Sequence, residues 1–458
     1  MSDVTPIPAG LRSVGYYASW RATGPGGPTL RRLFVDGAMG EHLTHLNYAF
    51  ANIAGSAEAL DAARARGVRG LDGVEPYTAF LSDHLDPHGG ETDVAGNLVA
   101  EMLHLFSAED SVAGVADTPE QPLAGILHQL RLLKERLPHL RVLVSLGGWA
   151  WSRSFSDAVA TPERRTALVA SLVDVWLRGN LPLVDGRGGP GSAAGIFDGI
   201  DLDWEWPAMP AETQMPGNGV DLDHDRDNFL AFAAELRRAL DELGTETGRT
   251  FEISAFLPAS HDAAVAGGWN TPEMFRALDF GNLQGYDLRG PWDATPGHQG
   301  NVYPDPDPAR GSGRGIETVV ATYVDAGVDP AQLNLGMADY GYGWRSCERE
   351  PWGPAEGLAT QDDGSAALGW DRLRERDLEI VHDTVDGKFN ATYGYDAQRR
   401  EWWTFDDPTA IEAKTRWALA QGLGGIDHWE VAHDPDAELV GTGADTLRAV
   451  ARERGTTL

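Results

Sequence analysis

Short apolar runs alternate with stretches of helical periodicity from residue 13 almost to the C-terminus. Eight runs read as strands: 13–20 (SVGYYASW), 42–50 (HLTHLNYAF), 141–148 (RVLVSLGG), 197–207 (FDGIDLDWEWP), 251–259 (FEISAFLPA), 278–287 (LDFGNLQGYD), 332–341 (QLNLGMADYG) and 422–430 (GLGGIDHWE). Helical patterns fall at 121–137, 162–178, 226–243, 315–326, 408–421 and 443–454. In the first of these, Leu123, Ile126, Leu127, Leu130 and Leu133 form one stripe. Repeated strand–helix units predict a parallel sheet, and eight of them predict a closed α/β barrel of the TIM (β/α)8 type. Residues 1–12 read as a flexible start, and 13–341 with 406–458 as the barrel. The polar stretch 342–405, rich in Trp and Tyr, breaks the rhythm and reads as a small α+β lobe inserted before the last strand. Residues 70–118 read as an irregular insertion, 185–195 as a Gly/Pro-rich loop and 304–314 as a surface loop.

The run at 197–207 carries four carboxylates: Asp198, Asp201, Asp203 and Glu205. Alternate residues of a strand share a face. Phe197, Gly199, Asp201, Asp203 and Glu205 therefore point one way, and Ile200, Leu202 and Trp204 point the other, toward covering helices. Asp198 has the opposite parity to the other acids and suits a structural hydrogen bond at the strand's start. Same-face neighbours lie roughly 6.6 Å apart. Like charges that close disfavour full ionisation, so at least one carboxyl should keep a proton near neutral pH. Glu205, last of the three and nearest the open end of the strand, is the candidate general acid, with Asp203 and Asp201 deeper. A solvated strand face would mix in Lys, Thr or Ser. A Mg²⁺ or Ca²⁺ site is the other alternative. DLDHDRD (221–227) resembles a calcium loop but has Arg226 at the turn glycine and Phe232 at the final Glu, and reads better as a helix entry capped by Asp225 or Asp227.

Aromatic residues cluster at the same strand ends: Tyr16, Trp20, Tyr48, Phe50, Trp149, Trp151, Trp206, Tyr286, Trp292, Tyr340, Trp344 and Trp429. Flat faces beside fixed hydrogen-bonding groups suit sugar rings.

Bulk properties narrow the partners. The chain has 458 residues, 42% of them apolar, and a formal charge of −32, which disfavours nucleic acid and anionic membranes. Almost all basic residues are Arg; the lysines are Lys134, Lys388 and Lys414. Cys347 is the single cysteine and reads as a buried thiol. No run is long and apolar enough for a membrane span, and the N-terminal residues show no signal-peptide pattern. GRGGPG (186–191) lacks the Gly-Lys-Ser/Thr of a phosphate loop. His428 on the last strand reads as a core histidine rather than a cleft residue. Nothing assigns an oligomeric state.

These motifs resemble family-18 glycoside hydrolases, the chitinases, from about residue 13 to 435. The family's DxxDxDxE signature stands here as Asp198, Asp201, Asp203 and Glu205 in DGIDLDWEWP, and its SxGG strand as Ser145, Gly147 and Gly148. VGYYASW and HLTHLNYAFANI are similar to its first two strands. The resemblance implies that Glu205 is the catalytic acid, that Asp203 steadies the substrate's acetamido nitrogen and that Asp201 is its deeper partner. It matches Tyr286 and Asp287 to the family's Tyr-Asp pair, Trp429 to the floor under the reacting sugar, and Tyr16 and Trp149 to pocket residues; Phe50 joins these as a candidate sugar contact. Gln284 stands where the family has Met, His428 where it has Phe, and Ala338-Asp339-Tyr340-Gly341 where it has Pro-Phe-Tyr-Gly. The implied activity is retaining, substrate-assisted hydrolysis of β-1,4 N-acetylglucosamine links, with no cofactor or metal and with chitin or its oligosaccharides as partner, in an extracellular setting. An endo-β-N-acetylglucosaminidase on glycan cores and a non-catalytic carbohydrate-binding protein share the fold; retention of Glu205 favours an enzyme.

Overall fold

A computed structural model describes residues 6–23, 27–86, 90–305, 307, 313–361 and 364–455. Eight parallel strands close into a barrel. They are β1 (Arg12–Ala18), β2 (His45–Ile53), β3 (Arg141–Gly147), β4 (Gly199–Asp203), β5 (Glu252–Leu257), β6 (Phe280–Leu283), β7 (Leu333–Ala338) and β13 (Gly425–Trp429). Neighbours pair in that order, and β1 pairs with both β2 and β13, which closes the sheet and leaves it no free edge.

Helices α1 (Gly125–Arg136), α2 (Pro162–Leu172), α3 (Asp225–Thr247), α4 (Ile316–Val324), α5 (Pro408–Ala420) and α6 (Glu438–Glu453) pack outside. Two starts are written in the sequence: Thr161 and Asp407 cap α2 and α5 through their side-chain oxygens, each followed by Pro at the first helical position. For α3 the cap differs from expectation. His224 occupies the cap position without a side-chain bond to the helix backbone, and the Asp225 carboxylate accepts instead from the backbone of Asp221 at 2.9 Å and from Ser156 at 2.6 Å. Leu123, Ile126, Leu127, Leu130 and Leu133 are buried as the stripe predicts. On β4 and just beyond it, Ile200, Leu202 and Trp204 are fully buried toward the helices, with Trp204 stacked on Phe155 at 5.0 Å and edge-on to Phe229 at 5.2 Å. Each large apolar side chain buried this way contributes about 1.5–3 kcal/mol.

Several boundaries move. The sixth strand ends at Leu283, so Gln284–Asp287 stand in the loop above it. The seventh ends at Ala338, and the chain turns into an antiparallel sheet of β8 (Tyr340–Trp344), β9 (Ala367–Gly369), β10 (Glu379–Val385), β11 (Lys388–Asp396) and β12 (Glu401–Phe405), in the order β9-β8-β12-β11-β10. Phe197 precedes the true start of β4, so strand parity does not reach it. It packs outside the barrel against Tyr48 and Trp176 rather than on the carboxylate face. Tyr48 likewise points outward, bonding Glu101 at 3.1 Å, and leaves the set of cleft aromatics. Ile7 and Leu11, in the stretch expected to be flexible, pack against the core, while residues 1–5 lie outside the described residues. Much of the expected surface loop 304–314 also lies outside them. Cys347 is buried. Among the described residues no helix is long and apolar enough to cross a membrane.

Candidate active site

Parallel register builds the site in layers. At the closed end, the basic residues are consumed: Lys134 and Arg249 bond the Asp198 carboxylate, which also accepts from the Val142 backbone at 2.9 Å, and His45 and Arg141 bond Glu252. One layer up, register sets Ser145, Asp201 and Ser254 side by side on β3, β4 and β5. Both serines donate to Asp201, at 2.7 and 2.5 Å, and Tyr16 donates at 3.2 Å. Tyr16 in turn accepts from Asn282 at 2.9 Å, and Asn282 accepts from Asn334 at 2.9 Å. Burial pushes the Asp201 carboxyl up, and the three hydroxyls pull it back, leaving it at about 6.

Above this layer Asp203 and Glu205 face the opening. Gly147 lies opposite Asp203, and at φ +109° a Cβ there would fall 2.4 Å from the Asp203 carbonyl; at Gly148, φ +79°, a Cβ would fall 2.6 Å from the Phe50 ring. Ser152 then reaches back, accepting from the Glu205 backbone N–H at 3.0 Å while donating to Gly148. Asp203 is buried, and its Oδ1 has no partner in the protein. Burial, then the charges of Glu205 and Asp201, hold its carboxyl far above the usual range. Burial and the charge of Asp287 push Glu205 up to about 8. Asp203 and Glu205 are thus both shifted toward their protonated forms, by burial first and by neighbouring charge second.

A cleft of about 700 Å³ opens over these acids. Tyr16, Trp20, Phe50, Trp149, Trp151 and Trp429 line one part of it; Trp206, Phe256, Gln284, Tyr286, Asp287 and Trp292 line the rest. None of its described lining residues is basic. Trp429 stacks on Phe50 at 5.7 Å and meets Tyr16 edge-on at 5.6 Å, and Trp206, Phe256 and Tyr286 form a second stacked row. Trp20, Trp149 and Trp292 stand substantially exposed. Gln284 accepts from the Ala259 backbone at 3.2 Å, which turns its amide nitrogen away from that strand end. Asp287, at φ +58°, accepts from Tyr340 at 2.6 Å and from Tyr342; burial pushes it up and these phenols lower it, to about 6. The peptide bonds preceding Phe50, Trp206 and Glu430 are cis.

Glu205, Asp203, Tyr286, Tyr16, Phe50, Trp149, Gln284, Asp287 and Trp429 reach this cleft and Asp201 lies beneath it, whereas of the strand-end aromatics Tyr48, Tyr340 and Trp344 do not line it. Nor does His428: it is fully buried on the outer side, 2.8 Å from Asp339. Burial alone would strip its proton, but the charge and hydrogen bond of Asp339, with the charges of Asp434 and Asp406, together raise the imidazole above its usual value. Trp344 belongs to the lobe's core, against Trp402. Sequence reasoning missed Ser254, Asn282, Ser152 and Phe256. It also missed Asp427, fully buried with both carboxylate oxygens unpartnered. The signal for Asp427 was present, since it lies two residues before Trp429 and shares its strand face. Among the described residues no three His, Cys, Asp or Glu side chains converge in a metal-holding arrangement.

Residues 12–434 match the model of glycosyl hydrolases family 18. Chitinase A1 of Niallia circulans is 29% identical over 93% of the chain, and Chitinase C of Streptomyces lividans is 28% identical over 92%. The chain spans 57% of the length of each of these relatives. The catalytic domain of the psychrophilic chitinase B from Arthrobacter TAD20 superimposes with a TM-score of 0.87 at 40% identity, over 97% of both chains.

Proposed function

Since the chain belongs to glycosyl hydrolases family 18, we propose that it is a chitinase, hydrolysing β-1,4 links between N-acetylglucosamine units. The observation that carries this is Glu205, a carboxyl poised near 8 at the wall of an aromatic cleft, able to deliver a proton at neutral pH. The aromatic rows supply faces for sugar rings. Two of the relatives described above bear the name chitinase and are similar over more than nine-tenths of the chain.

An ordinary retaining glycosidase places a second carboxylate about 5–5.5 Å from the acid, and an inverting one leaves about 6.5–9.5 Å for water. Asp201 and Asp203 belong to β4 and Glu205 stands two residues past its end, facing the same cleft as Asp203, and Asp287 is held by two phenols. Membership of the family then implies that the substrate's own 2-acetamido oxygen is the nucleophile. It attacks the anomeric carbon as Glu205 protonates the leaving oxygen. Asp203 accepts the acetamido N–H, and Tyr286 donates to the attacking oxygen. Water then opens the cyclic intermediate with Glu205 as base, giving net retention. Trp429 forms the floor, and Tyr16, Phe50, Trp149, Gln284 and Asp287 complete the sugar contacts. An insoluble polymer as substrate fits an extracellular setting.

The test compares fully acetylated and fully deacetylated oligomers of one length, following the anomer by NMR. The acetylated oligomer is cut with β-anomer formed first. Efficient cleavage of the deacetylated one, or α-anomer first, overturns the mechanism. Cleavage of glycoprotein core glycans in preference to chitin oligomers overturns the substrate.

A further inference from the structure

Asp427 has no part in the mechanism above, yet the fold makes room for it under the cleft. It projects from β13 into the barrel, two residues below the Trp429 floor, and is fully buried with both carboxylate oxygens lacking a protein partner. Across β7 its register partner is Gly336. A Cβ at Gly336 would stand 2.5 Å from the Leu283 carbonyl and 3.1 Å from both Asp427 Oδ1 and Tyr286 Cε1, so the glycine lets the neighbouring strand, the carboxyl and the tyrosine ring all approach. The titratable groups bearing on Asp427 come from every side: Asp201 of β4, Asp339 beyond β7, Tyr16 of β1 and Tyr286 above β6. Its chain neighbour His428 points outward to Asp339.

Asp201 and Asp427 are both fully buried in the barrel and their charges oppose each other, but they differ in protein donors. Asp201 accepts three hydroxyl protons, which favours its charged form; Asp427 accepts none, which favours its neutral form. Of two acids that oppose each other's ionisation, the donors thus favour the charge on Asp201 and the proton on Asp427. We propose that Asp427 is a positioning residue for the reaction at Glu205: a permanently protonated carboxyl whose O–H dipole keeps Asp201 ionised beneath Asp203. Burial and the Asp201 charge raise Asp427 well above its ordinary value, in keeping with this. Ionised Asp201, like the charge of Glu205, in turn helps hold the proton on Asp203. The inference rests on the chitinase reading for its catalytic consequence, but not for the protonation state.

Two variants and one spectroscopic measurement test it. Asp427→Asn keeps a neutral dipole in the same space and should leave kcat within about twofold of wild type, with an unchanged acid limb of the pH–rate profile on chitin oligomers. Asp427→Leu removes the dipole; Asp201 then ionises less readily, so the acid limb moves to higher pH and kcat falls while KM holds. Infrared difference spectra of wild type minus Asp427→Asn at neutral pH should show the carbonyl band of a protonated carboxyl, shifted in D2O. An acid limb for Asp427→Leu that coincides with wild type overturns the proposal. So does a loss in Asp427→Asn as large as in Asp427→Leu, or absence of the protonated-carboxyl band. The infrared arm reads no turnover, so it judges Asp427 even where chitin oligomers are not the substrate. It also stands if Asp427→Leu does not fold.

Discussion

The Tyr340 hydroxyl donates to Asp287 at 2.6 Å, tying the first residue of the lobe's sheet to the loop above β6. The bond favours ionised Asp287, and that charge raises the Glu205 carboxyl. Tyr340→Phe removes the donor, so Asp287 holds its proton to higher pH and Glu205 loses part of its upward push. The alkaline limb of activity should then move to lower pH, with the fold intact by circular dichroism. A limb that stays in place, or moves to higher pH, refutes the coupling.

Glu205→Gln should bind oligomers normally and lose roughly 10²–10⁴-fold in kcat, because the amide has no proton to give. The same variant tests the raised carboxyl thermodynamically. With its carboxyl raised in the folded protein to about 8 from an ordinary 4.5, wild-type Glu205 costs stability progressively as pH rises from about 4.5 to 8. The Tm of Glu205→Gln should match wild type near pH 4 and exceed it increasingly up to pH 8. A constant Tm difference across that range contradicts the shift.

Trp429→Ala removes the surface that stacks on Phe50 and meets Tyr16. Oligomer binding and turnover should fall together in steady-state kinetics. Unchanged kcat and KM would show that no sugar rests there.

At Gly147, alanine meets both a positive φ and the Asp203 carbonyl 2.4 Å away. Neither backbone can yield without displacing the acid strand. Gly147→Ala should lower Tm and cut turnover by more than tenfold, the kind of loss a 1 Å misplacement produces. A soluble variant of wild-type rate would mean that the strand end relaxes freely.

Net charge of −32 makes the folded chain repel itself. Raising NaCl from about 0.01 M to 0.15 M shortens the screening length from about 30 Å to about 8 Å. Thermal scans should show Tm climbing over that interval and levelling off above it. A Tm that falls steadily with salt would show that attractive ion pairs, not repulsion, dominate the surface.

Periodicity is a local signal, and what it determined here is local. Period-two alternation set Asp201, Asp203 and Glu205 on one face and Ile200, Leu202 and Trp204 on the other. The count of strand–helix units determined the barrel, because a parallel strand needs a crossover and eight such units close. Crowding of the acids on one face pointed toward retained protons, but burial proves the larger cause. Parity failed where strand ends were misjudged: Phe197 precedes Gly199, and so left the face assigned to it. Tertiary structure alone decided which acid holds which proton. That depends on burial and on donors from distant strands: Tyr16, Ser145 and Ser254 converge on Asp201, while Asp427 arrives opposite with no donor at all. Desolvation and charge act through space across the closed barrel, and no spacing along the chain records that Tyr16 and Asp427 would meet around Asp201.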